Sequence, residues 1–309
     1  MSLRIAISGS TGLIGRKLMS ALSENGHALT PIVRQTTPLK FNRKVIRWNI
    51  ENGKIDNLGL EGYDVVIHLA GVSIAGARWT PGYKKMIKDS RLKSTTLLSH
   101  AIAQLKKPPR LLLSASAVGY YGQCAPNEKK DESNPAGAGF LPELCQQWEM
   151  ATETVAAKGI RVVHMRFGVV LSKAGGALAQ MLPVFNLGLG GKIGTGTQMM
   201  SWIALDEIPL IVSHIIQSTG INGAVNFVAP QSVSNLEFTR VLGQALHRPA
   251  IFPLPVFGAK MMFGEMADSL LLNSLDVAPK KLTDSGYSFA YPDLKSALQK
   301  TLSPVSIPT

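Results

Sequence analysis

The chain has 309 residues, 45% hydrophobic and 17% charged, which is enough apolar material for one large core or two modest ones and too few charges for a disordered chain. Its two cysteines, Cys124 and Cys145, and six scattered histidines show no disulfide framework and no CxxC or HExxH spacing, so no metal site is expected. The formal net charge of +12 is dispersed and accompanied by no nucleic-acid motif; it reads as a field that draws in small anionic ligands, with nucleic acid excluded as a partner.

The first element is an alternating apolar run, Leu3, Ile5 and Ile7. It feeds directly into glycines at 9, 12 and 15 and then into a helical pattern of Leu13, Ile14, Leu18, Met19 and Leu22. Strand, glycine turn and helix in this order bring unsatisfied N–H groups and the positive end of a helix dipole to a turn without side chains, an arrangement that holds a pyrophosphate. Gly9 is expected to make the tight turn, Gly12 to let the backbone approach phosphate, and Gly15 to let the helix pack close on the strand. Ser10, Thr11, Leu13 and Ile14 complete the expected diphosphate loop. The alternative is a glycine-rich turn in a flavodoxin-like sheet that holds no dinucleotide.

Ala28–Val33 reads as the second strand and runs into Arg34. An NAD site carries an acidic residue about 20 positions past the glycines to bind the ribose 2′-OH; Arg34 stands in that place, and Arg16 follows Gly15. Two guanidinium forks suit a 2′-phosphate that a carboxylate would repel, so the expected cofactor is NADP(H). The alternative for either arginine, and more so for Arg16, is a solvent-facing side chain. Lys44–Trp48 reads as a third strand and Val65–Leu69 as a fourth, apolar on both faces. The fourth ends in His68-Leu69-Ala70-Gly71, where small residues let the chain pass beneath a cofactor; Leu69, Ala70 and Gly71 are the expected backbone contacts. His68 reads as a hydrogen-bonded core histidine ahead of a catalytic one.

A helical pattern over about 84–104 carries Lys84, Lys85, Lys88, Arg91 and Lys93, one basic and solvated helix face. Arg110–Ser114, a helix at 141–157, and Arg161–Phe167 follow. This βαβ alternation predicts an α/β fold of the Rossmann type, a doubly wound parallel sheet covered on both faces. Beyond Phe167 come a glycine-rich loop, 188–196, a last sheet strand at Ala224–Val228, and a helix at Leu236–Leu246 with Ser234 as its N-cap. Prolines 249, 253 and 255, a helix near 257–272, and Pro279-Lys280-Lys281-Leu282 complete the tail. The expected division is 1–228 for the nucleotide-binding domain, with an excursion at about 172–205, and 229–309 for a small lobe over the sheet's C-terminal edge that supplies a substrate lid. No run of 18 apolar residues occurs, and the first strand begins about two residues in. Neither a membrane span nor a secretory leader is expected, so a cytoplasmic protein is the default.

The segment Ser114-Ala115-Ser116-Ala117-Val118-Gly119-Tyr120-Tyr121-Gly122, together with the GxxGxxG turn, resembles the short-chain dehydrogenase/reductase superfamily in its extended, epimerase-like branch. The resemblance implies that Ser116 hydrogen-bonds a substrate oxygen. It also implies a tyrosine and a lysine four apart on the next helix, the tyrosine as acid/base and the lysine lowering its pKa and binding the nicotinamide ribose, since an unperturbed phenol titrates near ~10. With Glu149 marking the register, Leu141 and Cys145 fall at those two positions, and no YxxxK occurs in that region. Tyr120 or Tyr121 is left to replace the acid. Cys145 reads as a buried small hydrophobe ahead of a nucleophile.

Arg166-Phe167-Gly168-Val169-Val170-Leu171, Ser201–Glu207, Asn226–Pro230, Gly264-Glu265-Met266-Ala267, Pro279–Leu282 and Gly286–Phe289 extend the likeness over nearly the whole chain. They resemble one subgroup, the atypical reductases labelled nucleoside-diphosphate-sugar epimerase or SulA-type cell-division inhibitor. Asn273-Ser274-Leu275-Asp276 departs from the more basic run expected there. The resemblance implies an NADP(H)-dependent oxidoreductase or epimerase, with hydride passing between the nicotinamide and a small carbonyl, carbinol or sugar-nucleotide substrate held by Ser116, Tyr120 and Tyr121. Ser114 and Arg166 join the expected cofactor site. Arg91 and Arg166 are candidate anion contacts, with structural ion pairing as the alternative for both. The missing acid/base pair leaves a second reading, an NADP(H)-binding sensor that reports redox state to a partner, for instance in cell division. A homodimer through sheet-flanking helices is common in the wider superfamily.

Overall fold

A computed structural model describes residues 2–38 and 44–303; Met1 and 304–309, the outermost residues of the two expected domains, lie outside them. The strands, in chain order, are β1 (Arg4–Ser8), β2 (Ala28–Arg34), β3 (Ile46–Asn49), β4 (Lys54–Ile55), β5 (Val65–His68), β6 (Leu111–Ala117), β7 (Arg161–Phe167), β8 (Val169–Leu171), β9 (Met199–Met200), β10 (Trp202–Ala204), β11 (Gly223–Phe227) and β12 (Val233–Ser234). Eight of them form one sheet in the order β11-β7-β6-β5-β1-β2-β3-β4. All its pairings are parallel except the β3–β4 hairpin. The chain leaves β1 toward β2 on one side and later returns to β5 on the other. That reversal opens a crevice at the carboxyl ends of the strands, where open α/β sheets bind ligands.

Alternation along the strands decides which helix covers which residue. Ile5, Ile7, Val65, Ile67, Leu111, Leu113, Val163 and Met165 face one way and pack with Leu18 and Leu22 of the helix Leu13–Glu24 and with Ile208, Ile211 and Ile215 of the helix Glu207–Gln217. Ala6, Val66, Leu112 and Val162 face the other way, toward Leu98 and Ile102 of the helix Pro81–Ala103 and toward Val155. A third cluster joins Leu171, Leu178, Phe185 and Trp202 to Phe238, Leu242, Leu294 and Leu298. The excursion after β7 therefore shares much of its core with the C-terminal residues, while Ile203 packs into the cluster of the sheet. Two small pairings, β8 with β10 and β9 with β12, tie it down.

Several boundaries differ from the sequence reading. β6 runs three residues past Ser114, to Ala117. The helix expected at 141–157 breaks into Phe140–Met150 and Glu153–Ala156, where the Thr152 hydroxyl turns back to the Glu149 carbonyl at 2.8 Å. The helix expected at 257–272 stops at Phe263 because Gly264 takes φ +60°, and a single wide turn, Ala267–Leu271, follows. Helix Pro81–Ala103 starts three residues early. Thr80 caps it by accepting from the Tyr83 N–H, with Pro81 in the first turn, a start signal that the sequence carried in plain form. Among the described residues no helix is long and apolar enough to cross a membrane, and no group of three or more potential ligands gathers for a metal.

Candidate nucleotide-binding site

Gly9 has φ +67°, and a Cβ there would stand 2.8 Å from the backbone C and O of Leu69. The ends of β1 and β5 meet in a contact that admits no side chain. A Cβ at Gly15 would fall 2.2 Å from the Gly9 carbonyl oxygen, so Gly15 packs the first helical turn against the glycine turn itself, not against the strand. Gly12 is the N-cap and has no side chain to cap with, and no acidic residue lies in the first turn. The Gly12 N–H donates to Gly9 O and the Arg16 N–H to Gly12 O. The amides of Leu13, Ile14 and Gly15 have no intrahelical acceptor. Ser10 and Thr11 complete the turn, and Arg16 donates through Nη1 to the Thr11 carbonyl at 2.8 Å, bracing the loop. A diphosphate fits this cradle in shape and in charge.

Beside it lies a cleft of about 580 Å³ lined by Arg34, Thr36, Trp48, Asn49, Val72 and Lys93, among others. Arg34 stands exposed at the end of β2. Thr36 and Asn49 were absent from the sequence-derived site, although Asn49 ends β3 on the same sheet edge. Opposite Arg34, on helix Pro81–Ala103, the expected basic face divides. Lys84 pairs with Glu265 at 2.7 Å, Lys85 with Asp89, Lys93 with Asp89 and Glu51, and Arg91 turns inward.

Below the strand ends runs a seam of polar side chains. His68 Nδ1 lies 2.7 Å from Ser8 Oγ, which also accepts from the Leu69 N–H at 3.1 Å. His68 Nε2 lies 3.0 Å from Thr95 Oγ1, and Trp148 Nε1 donates to that same oxygen. His68 is fully buried, and burial lowers its pKa to about 4. It is a neutral ring that fixes the junction beneath the glycine turn and does not reach the cleft.

The seam continues through the residues expected to do chemistry. Ser116 donates to Glu149 Oε1 at 2.7 Å. Arg166 meets the same carboxylate through Nε and Nη2, each at 2.8 Å, and its Nη1 donates to the Tyr121 hydroxyl at 2.9 Å. Tyr121 in turn donates to Asn226 Oδ1 at 2.8 Å. Arg166 Cζ sits 3.4 Å from the centroid of the Tyr120 ring. Burial alone would lower the pKa of Arg166, but the hydrogen-bonded Glu149 carboxylate outweighs it and holds the guanidinium above its ordinary value. Burial pushes Tyr121 up to about 12, against the pull of Arg166.

The structure thus directs Ser116, Tyr121 and Arg166 into the interior and toward one another. The reason is strand parity: Ser114, Ser116, His164 and Arg166 share one face of the sheet, and Glu149 of helix Phe140–Met150 gathers the last three. Ser114 is buried, and its hydroxyl has no partner among the described residues. Tyr120 is half-buried, and its hydroxyl hydrogen-bonds to no described residue. Leu141 lies against Gly119, where an added Cβ would approach within 3.4 Å. Cys145 is buried, and burial pushes its thiol up to about 12. The one tyrosine with a lysine four residues on, Tyr291 with Lys295, straddles the start of the helix Leu294–Leu302, so the two do not share a helical face.

Residues from 261 to 276 pack against helix Pro81–Ala103, the segment before it and the segment after β6. Met266 is buried with Trp79, Ile87 and Leu144, and Arg78 donates to the Met261 carbonyl at 3.2 Å. The divergent run 273–276 binds the segment after β6: the Cys124 N–H donates to Ser274 O and the Lys130 N–H to Asp276 O.

A parallel sheet with a crevice at its point of reversal, a glycine turn without side chains and an uncapped helix start define a dinucleotide-binding α/β protein. Residues 5–227 match the NAD dependent epimerase/dehydratase family, and this chain belongs to it. Residues 254–301 match a domain of unknown function, DUF1731. The epimerase family protein Mb2239 of Mycobacterium bovis is 40% identical over 294 residues, which cover 95% of this chain and 96% of that protein. The epimerase family protein YfhF of Bacillus subtilis is 34% identical over 301 residues, 97% of this chain and 98% of the relative. The crystal structure of human epimerase family protein SDR39U1 (isoform 2) with NADPH is similar with a TM-score of 0.86 at 32% identity, covering 97% of this chain and 99% of the other.

Proposed function

We propose that this chain binds NADP(H) and acts as a reductase- or epimerase-like protein on a small carbonyl, carbinol or sugar-nucleotide substrate. The carrying observation is the uncapped N-terminus of helix Leu13–Glu24 at the glycine turn, with Arg34 and no acid at the neighbouring end of β2. The amides of Leu13, Ile14 and Gly15 bind the diphosphate, Gly9 brings the backbone of Leu69 and Ala70 beneath it, and Arg34 takes the 2′-phosphate. The NADPH in the human relative supports the same reading. A bound nicotinamide supplies or accepts hydride. Of the three hydroxyls expected to hold a substrate, Tyr120 alone keeps its group without a protein partner among the described residues, and it is the proton donor in this reading. Lobe residues around Met266 keep water from the strand ends.

A second reading, a sensor that binds the cofactor without turnover, is favoured by one specific observation. Leu141 and Cys145 occupy the two helical positions next to the end of β6; Leu141 has no proton to exchange, and burial pushes the Cys145 thiol up to about 12. Calorimetry with NADPH and NADH, followed by a carbonyl panel monitored at the nicotinamide absorbance band, separates the readings. Tighter binding of NADPH with turnover supports the first. Tight binding with no turnover across the panel supports the sensor, and equal affinity for both cofactors removes the role given to Arg34.

A further inference from the structure

Arg91 and Arg166 begin from the same expectation and end in different chemistry. Arg166 is neutralised by Glu149. Arg91 has no carboxylate within ion-pair distance among the described residues. Its Nη1 donates to the carbonyls of Val72 at 3.0 Å and Ile87 at 3.1 Å. Its Cζ lies 5.0 Å from the centroid of the Trp148 ring. A Cβ at Gly71 would stand 3.5 Å from its Cζ and Nη1, so the guanidinium lies directly against the backbone that follows β5. Nε and Nη2 hydrogen-bond to no described residue.

This combination is unusual in energetic terms. A cation taken out of water without an anion is costly, and burial lowers Arg91 below its ordinary pKa. Trp148 packs on the guanidinium, Cys145 and Tyr83 lie near it, and Ile87, one turn earlier on the helix, belongs to the apolar cluster with Trp79, Leu144 and Met266. The indole face and two carbonyls fix the plane of the guanidinium, so its unpaired edge is aimed and not mobile. A planar fork with two parallel N–H groups matches the two oxygens of a carboxylate or a phosphate.

We infer that Arg91 is an oxyanion-binding residue beside the backbone that follows β5, taking two oxygens of one carboxylate or phosphate on its Nε–Nη2 edge. The anion has two possible sources, the second phosphate of the cofactor or a carboxylate on the substrate, and both follow from the proposed NADP(H) site on which this inference rests. Wild type, Arg91→Met and Arg91→Lys are compared by calorimetry with three probes: NADPH, 2′,5′-ADP, and oxalate added to protein saturated with NADP⁺. 2′,5′-ADP keeps the adenosine end and lacks the second phosphate and the nicotinamide riboside. The expected result is that Arg91→Met binds 2′,5′-ADP within about twofold of wild type and loses roughly tenfold or more in affinity for NADPH or for oxalate. Loss of NADPH assigns the cofactor as the source, and loss of oxalate assigns the substrate. Arg91→Lys, which keeps the charge without the fork, lies between the two; it carries the same comparison if Arg91→Met fails to fold. Unchanged affinity for all three probes overturns the inference. A wild type that binds neither NADPH nor 2′,5′-ADP overturns the cofactor reading beneath it.

Discussion

Arg166 and Glu149 face each other in a two-point pair, Nε to Oε1 and Nη2 to Oε2, with Ser116 as a third donor on Oε1. The pair joins β7 to helix Phe140–Met150 under the candidate site. It converts a charge that sequence inspection offers to a ligand into an internal brace.

Removing one half should therefore harm stability before it harms ligand contacts. Glu149→Gln leaves a buried guanidinium uncompensated, and its expected cost is about 3–5 kcal/mol, read from denaturant midpoints. The double change Glu149→Leu with Arg166→Met should recover much of that, because no unpaired charge remains. If the single variant matches wild type, the pair contributes nothing to stability.

The glycine turn gives a contrast between positions. Gly9→Ala places a Cβ 2.8 Å from Leu69 at φ +67°, and Gly15→Ala places one 2.2 Å from Gly9 O. Each should destabilise by on the order of 1–3 kcal/mol and remove measurable NADPH binding. Gly26→Ala shares the positive φ, +80°, but meets nothing within 4 Å; it should cost about 1 kcal/mol and leave binding intact. Similar NADPH affinity in Gly9→Ala and Gly26→Ala would show that the turn does not shape the site.

Arg34→Asp tests the 2′-phosphate contact. A carboxylate in that place repels the phosphate and can accept from a ribose hydroxyl. NADPH affinity should fall by roughly tenfold or more, while NADH affinity is maintained or improves. An unchanged NADPH titration sends the phosphate elsewhere along the cleft.

What could be read from the sequence follows from how local each signal is. The glycine turn, the strand at Arg161–Phe167 and the Ser234 cap, which accepts from the Glu237 N–H, are encoded within a few residues. The Thr80-Pro81 helix start is equally local. The direction of Ser116 was half legible. Its parity with Leu112 and Ser114 is fixed by strand geometry, but which helix covers that face, and that Glu149 waits there, depends on the fold. The same holds for Arg91 and Arg166, alike in composition and separated only by the presence or absence of a distant carboxylate. β8, β9, β10 and β12, at two or three residues each, are too short to leave a periodic signature.

His68 gives the pH prediction. Burial holds its folded pKa near 4 against an ordinary value of 6.5, so the unfolded chain binds a proton that the folded chain refuses. Stability from this group is complete above pH 6.5, falls as the pH drops from 6.5 toward 4, and is flat below that. The gap corresponds to roughly 3 kcal/mol. His164, lowered mainly by its own burial, acts in the same direction. Denaturant midpoints at pH 7 and pH 4.5 should separate for wild type, and His68→Gln should narrow the separation. An equal separation in the variant would assign the acid sensitivity to other groups.

The third apolar cluster links Leu171 and Trp202 to Leu298, and this bears on synthesis. During translation the sheet can close once β11 has emerged, yet the cluster around Phe185 and Trp202, which Phe238 and Leu242 join first, is not complete until helix Leu294–Leu302 follows. Such exposed surface is what chaperones bind and what aggregates. A nascent chain stalled before residue 294 should therefore hold a formed sheet beside an adhesive flank, and its solubility should return only when Leu294–Leu302 is added.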